Sequence, residues 1–232
     1  MRNIKIGSRL LMAASFIDKG KTVCDVGCDH GKLSLYLVKE GKAERIIATD
    51  INEHPLQKAI DLFESNHLSD IAQFVQTDGL SGIEDTSDIT HVVIAGLGGG
   101  TMADVIDGAP FIREQKTRLV LLPAQNGFAI RRYLYENGFE IEKEENVAEK
   151  GKYYACISAV YKGNVTEPTP FRIYIGESRH NTDSSALGYM KMVLSRLEKK
   201  YKGIEIDTGV KDEGFAQAVN ETKRLIDKIE NL

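Results

Sequence analysis

The chain has only three cysteines, no apolar run of the roughly 20 residues needed to span a bilayer, and no excess of positive charge. Each absence excludes something. Cys24, Cys28 and Cys156 are too few and too irregularly spaced for a disulfide framework. Cys24 and Cys28 do not form C-x-x-C, and no His/Cys cluster lies nearby to suggest a zinc site. They read as incidental thiols, and a cytoplasmic protein with no metal is expected. Residues 1–21 hold basic side chains and a short apolar stretch. They lack the longer hydrophobic segment and small-residue cleavage site of a secretory signal. Leu10, Leu11, Ala14 and Phe16, broken by Arg9 and Asp18, instead predict a short amphipathic helix. A net charge of −4 excludes a generally basic nucleic-acid binder. The charge is uneven, however. Arg2, Lys5, Arg9, Lys19 and Lys21 face Asp18 alone in residues 1–21, so this segment is net +4 and the remainder net −8. Such asymmetry allows a local anion-binding patch, and a solvated helix face accounts for it equally.

What is present points to an ordinary folded domain, with 42% hydrophobic and 28% charged residues. The length suits one full core and a modest appendage. Short apolar strands at KTVCDVG, ERIIATD, IAQFVQTDG, HVVIAGLGGG and RLVLLPAQN alternate with helical patterns over residues 32–39, 54–66, 102–106 and 129–137. That alternation predicts a parallel, doubly wound α/β sheet covered on both faces. FEIEKEENVAEKGKYYACISAVY then alternates as two strands with a turn near Lys150 to Lys152, a closing antiparallel β-hairpin. The first domain is expected at residues 1–162, ending in the polar linker KGNVTEPTP. Residues 163–232 form the second. There Leu187, Met190, Leu194, Leu197 and Tyr201, and again Phe215, Ala218, Thr222, Leu225, Ile229 and Leu232, repeat at 3-4 spacing. Two such helices, with the glycine-containing KGIEIDTGVKDEG between them, predict an antiparallel coiled-coil hairpin that must pack on the main domain or a partner. Asp183 or Ser184 is the expected cap of its first helix.

The chemistry is concentrated where strands end. In DVGCDHG, Asp25 to Gly31, Gly27 and Gly31 allow a ligand to approach backbone N–H groups closely. A nicotinamide-binding loop would read G-x-G-x-x-G and seat a pyrophosphate on the helix N-terminus. Asp29 occupies the middle glycine position here. Its carboxylate repels a pyrophosphate and favours a ligand carrying an ammonium and a sulfonium, as S-adenosylmethionine does. Asp50, followed by Ile51, stands at the end of the second strand, where an acidic side chain accepts both ribose hydroxyls of a nucleoside. Asp78-Gly79 ends the third strand and reads either as a turn pair or as an adenine-binding corner. AGLGGGT, Ala95 to Thr101, runs into glycines at the central strand end, with Ala95 and Gly96 nearest the ligand. It lacks the lysine of a P-loop. In PAQN, Gln125 and Asn126 either read a base edge or, for Asn126, cap the next helix.

These residues resemble a known family, the bacterial tRNA (adenine-N1)-methyltransferases of the TrmK type, which modify adenine 22 of tRNA. SRL (Ser8 to Leu10), DVGCDHG, ATDI (Ala48 to Ile51), TDGL (Thr77 to Leu80) and AGLGGG carry the resemblance, through most of residues 1–160. One departure stands out: the family's Q-P-N-like string after the fifth strand appears here as PAQN, which changes the order of Gln125 and Asn126 relative to the proline. The resemblance implies a class I, Rossmann-like fold ending in an antiparallel hairpin, with S-adenosyl-L-methionine as cofactor and tRNA as substrate. The helical hairpin would help grip the tRNA. Cofactor contacts are expected at Asp25, Gly27, Asp29, Gly31, Asp50, Ile51, Asp78, Gly79, Ala95 and Gly96. Catalytic roles are expected at Asp29, His30 and Arg9. Asp29 would stabilise the cationic product, and His30 would position the base or accept a proton. Arg9 would stack on the base or hold a phosphate. Arg2, Lys5 and Arg9 are candidate phosphate contacts, with Arg196, Lys199, Lys200 and Lys202 as a second possible RNA surface. A methyltransferase for another RNA or a small molecule, a nicotinamide dehydrogenase, and a non-catalytic RNA-binding module remain the alternatives.

Overall fold

The computed structural model describes residues 4–19 and 21–232; Arg2 lies outside them. The element order is α1 (Ser8–Ser15), β1 (Thr22–Val26), α2 (Lys32–Lys39), β2 (Arg45–Asp50), α3 (Glu53–Glu64), β3 (Ala72–Gln76), β4 (Ile89–Ala95), α4 (Gly99–Asp107), α5 (Phe111–Glu114), β5 (Arg118–Leu122), α6 (Gly127–Glu136), β6 (Phe139–Glu149), β7 (Lys152–Tyr161), α7 (Pro170–Ile175), α8 (Ser184–Thr208) and α9 (Glu213–Glu230). The seven strands form one sheet in the order β3-β2-β1-β4-β5-β7-β6. Strands β1 to β5 are parallel, and β7 enters antiparallel beside β5.

The strand sequences explain the layering. Successive side chains of a strand point to opposite faces, and these strands are apolar on both. Val26, Ile47, Val92, Ile94, Leu119 and Leu121 join a core with Met102 and Ile106 of α4 and Ile130 and Leu134 of α6. Val23, Ile46, Ala48, Val93, Val120 and Leu122 join a second core with α1, α2 and α3 on the other face. Each fully buried Ile, Leu or Val adds about 1.5–3 kcal/mol. A β1 in which all five residues are buried therefore tolerates no register slip. Winding reverses between β1 and β4, so their carboxyl ends diverge and open a crevice there.

The C-terminal segment forms a third core. Ala186, Tyr189, Met190, Val193 and Leu197 of α8 pack on Ala218, Val219, Ile226 and Ile229 of α9 and on Ala155 of β7. Asp183 caps α8, accepting from the N–H groups of Ser185 and Ala186. Two features differ from the sequence expectation. Helix α7 and a 3-10 turn at Gly176–His180 follow the linker, in a stretch too short for periodicity to reveal. The turn between α8 and α9 is shorter than expected, because α8 continues through Gly203 to Thr208 and stops at Gly209, whose φ is +70°. A solvated helical glycine costs only about 1 kcal/mol, whereas Gly209 supplies the left-handed cap that ends the helix.

A buried ion pair ties the third core to the sheet. Arg131 of α6 and Glu144 of β6 both have fully buried side chains. Arg131 also donates to Tyr189 Oη at 2.7 Å and to the carbonyls of Ile173 and Tyr174. Glu144 accepts from Ser178 Oγ at 2.7 Å and from the Glu177 N–H. Burial works against the Arg131 charge, but Glu144 and Tyr189 outweigh it and hold its pKa above the usual arginine value.

Candidate functional site

Loops at the ends of β1 and β4 enclose a cavity of about 320 Å³. Arg9, Asp25, Gly27, Asp29, His30, Ala95 and Gly96 all line it, so most of the expected residues from three separate motifs meet there. Gly27 and Gly96 have φ of +68° and +102°, a region open to glycine without strain. Nothing lies within 4 Å of a Cβ built at Gly96, so bare backbone faces open space.

The loop Gly27–Gly31 is folded around two carboxylates. Asp50, nearly buried at the end of β2, accepts from the Asp29 N–H at 3.2 Å through one oxygen and from the Asn52 N–H at 2.9 Å through the other. The Asn52 side-chain amide also donates to the second oxygen, at 3.5 Å, so the oxygen facing Asp29 keeps a lone pair for a ligand hydroxyl. Asp25, at the end of β1, is 3% exposed and accepts from Ser34 Oγ at 2.6 Å. Burial pushes its pKa up to about 6, against the lowering effect of Ser34 and with a smaller push from Asp50. Ionised Asp25 is thus under-compensated, and a cation in the cavity would complete its environment.

Asp29 itself has φ +51°, and 75% of its side chain is exposed at the cavity mouth. His30 Nδ1 lies 3.7 Å from Asp29 Oδ1, beyond a hydrogen bond, and is a buried nitrogen with no partner. Burying a polar atom unpaired is costly, and no described group offsets that cost at this nitrogen.

Other expected residues fall outside the cavity. Gly31 caps α2 with φ +65°, and a Cβ there would stand 2.8 Å from Ala59 Cβ, so it serves close packing of α2 on α3. Ile51 is exposed beside Asp50. Asp78 lines a neighbouring cavity of about 330 Å³ with Leu80, Ser81, Thr101 and Asp104. The Gly79 carbonyl accepts from Thr49 Oγ1 at 2.9 Å. The glycine run also divides its work. A Cβ at Gly99 would stand 2.2 Å from the Asn126 carbonyl oxygen, so Gly99 lets α4 approach PAQN, and Gly98 bridges Gln125. Asn126 adopts φ +55° at the start of α6 and makes no side-chain cap. With Gln125 it is exposed on a small cleft of about 40 Å³ that also contains Tyr153, Tyr154 and Arg196.

Several lining residues carried no sequence signal. Lys32, Leu33, Leu97 and Cys28 line the main cavity. Burial raises the Cys28 thiol pKa, which leaves it protonated and inert. Arg9 is the larger surprise. Its Nε lies 3.1 Å from Glu149 Oε1, its backbone N–H donates to Glu149 Oε2 at 3.3 Å, and its guanidinium carbon lies 4.6 Å over the Tyr154 ring. Among the described residues no group of three or more His, Cys, Asp or Glu is gathered as a metal site requires, and no helix is long and apolar enough to cross a membrane.

Comparison with known proteins agrees with this geometry. The tRNA (adenine(22)-N(1))-methyltransferase of Bacillus subtilis is 31% identical over 159 residues, which cover 68% of this chain and 66% of that relative, just under two thirds of its length. The crystal structure of the B. subtilis M1A22 tRNA methyltransferase TrmK superposes with a TM-score of 0.78 at 24% identity, covering 98% of this chain and 99% of the other. A Streptococcus pneumoniae protein solved in complex with S-adenosyl-L-methionine gives a TM-score of 0.79 at 24% identity, covering 96% and 100%. Likeness at that identity shows the fold, whose class I sheet order is the one described above. The family model described as Methyltransferase domain matches residues 6–157, from α1 into β7 and so through every loop that lines the cavity. The chain belongs to that methyltransferase domain family.

Proposed function

We propose that this chain transfers the methyl group of S-adenosyl-L-methionine to N1 of an adenine, position 22, in tRNA. The observation that carries the reading is the cavity at the β1/β4 switch point. There, bare backbone at Gly27 and Gly96 sits beside the under-compensated Asp25 carboxylate, and just outside the cavity lining the Asp50 carboxylate holds the Asp29 N–H of the same loop. That donor set fits a ligand with a cationic amino acid part and a ribose, and Asp29 at the mouth disfavours a pyrophosphate. Asp25, Gly27, Ala95 and Gly96 would hold the amino acid portion, Asp50 the ribose, and Ile51, Asp78 and Gly79 the adenine. The bound group supplies a methyl on a sulfonium, an electrophile that needs no metal. The Bacillus subtilis relative named above is an adenine-22 tRNA methyltransferase, which supports the choice of substrate.

The residues then have definable tasks. N1 of neutral adenine has an in-plane lone pair, so the protein must chiefly align it with the methyl group. N1 is occupied in a base pair, and the base must leave the stack to reach the cavity. The product carries positive charge, which the exposed Asp29 carboxylate stabilises. His30, which lines the cavity beside Asp29, holds the base or accepts a proton. In this reading residues 1–162 are the methyltransferase unit and 163–232 the helical hairpin that helps grip the tRNA. A tRNA substrate places the protein in the cytoplasm. The test is incubation with unmodified tRNA and cofactor, followed by nucleoside mass spectrometry. New 1-methyladenosine, lost when adenine 22 is replaced by guanine, is expected. Its absence from every tRNA would refute the proposal.

A further inference from the structure

We propose that Arg9 is the stacking platform for the substrate base, backed by Tyr154 and held in place by Glu149. The inference rests on the reading above that the substrate is an adenine in RNA. Three observations lead to it. First, the Arg9 guanidinium has one face over the Tyr154 ring, 4.6 Å from its centroid, while the same side chain lines the main cavity with Asp29 and His30. A planar cation covered on one side and open to a cavity on the other offers a second face to a flat ring. Second, Glu149 Oε1 stands 3.1 Å from Arg9 Nε. An RNA phosphate at Arg9 would meet that carboxylate as well, and its charge would be largely cancelled, so the pair suits a neutral base better than an anion. Third, the assembly is rigid. Glu149 Oε2 accepts from the Arg9 N–H in the first turn of α1, where a helix has free donors, and Gly7 before it has no side chain of its own to cap them. A Cβ at Gly7 would collide with that same carboxylate. Tyr153, next to Tyr154, packs so closely on α8 that a Cβ at Gly188 would overlap its ring.

The platform also joins the two openings of the site. Tyr154 lines the small cleft with Gln125, Asn126 and Arg196, whereas Arg9 lines the cofactor cavity. A base on Arg9 would be flanked by the amides of PAQN on one side and by Asp29 and His30 on the other. Arg9 touches the base in this arrangement. Glu149 and Tyr154 act through it as positioning residues.

The experiment compares Arg9→Lys, Arg9→Ala, Glu149→Gln, Tyr154→Leu and Tyr154→Phe in the full-length protein. The readouts are kcat and KM for methylation of one tRNA, and the salt dependence of its binding. A stacked base is worth about tenfold or more. Arg9→Lys keeps the charge and loses the plane. It should lose about tenfold in kcat/KM while its salt slope stays at the wild-type value. Tyr154→Leu should lose a similar factor and Tyr154→Phe should recover most of it, because the ring and not the hydroxyl supports Arg9. Glu149→Gln keeps an oxygen for the α1 N–H groups but frees the Arg9 charge. Its kcat should fall and its salt slope should steepen, by about 0.7–0.9 for one added phosphate contact. The inference is overturned if Arg9→Lys retains wild-type kcat/KM while Arg9→Ala flattens the salt slope, since Arg9 would then be a phosphate contact. It is overturned equally if both Tyr154 variants match wild type. Failure of the wild type to form 1-methyladenosine would instead strike the reading of function.

Discussion

Asp25 is where the site's demands on binding and on stability conflict most directly, and Asp25→Asn makes the conflict measurable. The carboxyl is buried at the end of β1, and burial lifts its pKa from 3.8 to about 6. A group that binds its proton more tightly when folded stabilises the folded state in its protonated form. That contribution is complete below about pH 4 and is lost as the pH rises through about 6. Between about pH 5 and pH 8 that loss is ~1 kcal/mol. Asn cannot titrate, so the variant lacks this slope. Any cost of seating the amide beside Ser34 is independent of pH and cancels when two pH values are compared. Urea unfolding of ligand-free wild type and Asp25→Asn at about pH 5 and pH 8 therefore isolates the charge. The stability of the variant minus that of the wild type should be higher at pH 8 by ~1 kcal/mol. A difference that is the same at both pH values, or that moves the other way, would refute the claim that Asp25 is held under-compensated for a ligand cation.

Other expectations follow from the same contacts. S-adenosylhomocysteine, whose ammonium would favour ionised Asp25, should bind more weakly below about pH 6 with proton uptake by the free protein, and calorimetry in buffers of different ionisation enthalpy would reveal a pH-independent affinity if this is wrong. Asp50→Ala should weaken that ligand by about 10–100-fold, since hydrogen bonds to a charged group contribute about 1.5–3 kcal/mol; an unchanged dissociation constant would remove Asp50 from the site. Arg131→Met leaves Glu144 buried without its partner and should cost about 3–5 kcal/mol, measured as a lowered urea midpoint. Protease cleavage should then begin within residues 163–232 if this pair is what holds α7 and α8 to the sheet. Gly99→Ala drives a Cβ into the Asn126 carbonyl and should cost about 1–3 kcal/mol in thermal unfolding.

The sequence alone determined the layered fold, because buried parallel strands read as short apolar runs and leave a strong local signal. β1, β2, β4 and β5 lie where those runs predict, and α6 and the hairpin turn follow. It also located the ends of β1 and β4 that line the main cavity, since glycine and aspartate there have few structural substitutes. Helix α7 and the end of α8 were not legible, because a single turn has no period and Gly203 does not stop a helix held by its neighbours. Tertiary structure alone decided which glycines face open space and which merely allow packing, a matter of what stands opposite each Cα. It alone placed Glu149 and Tyr154 against Arg9, some 140 residues away in sequence. No local pattern records a contact made when a sheet closes on a helix, and for that reason the loop DVGCDHG could be read from the sequence while the wall opposite it could not.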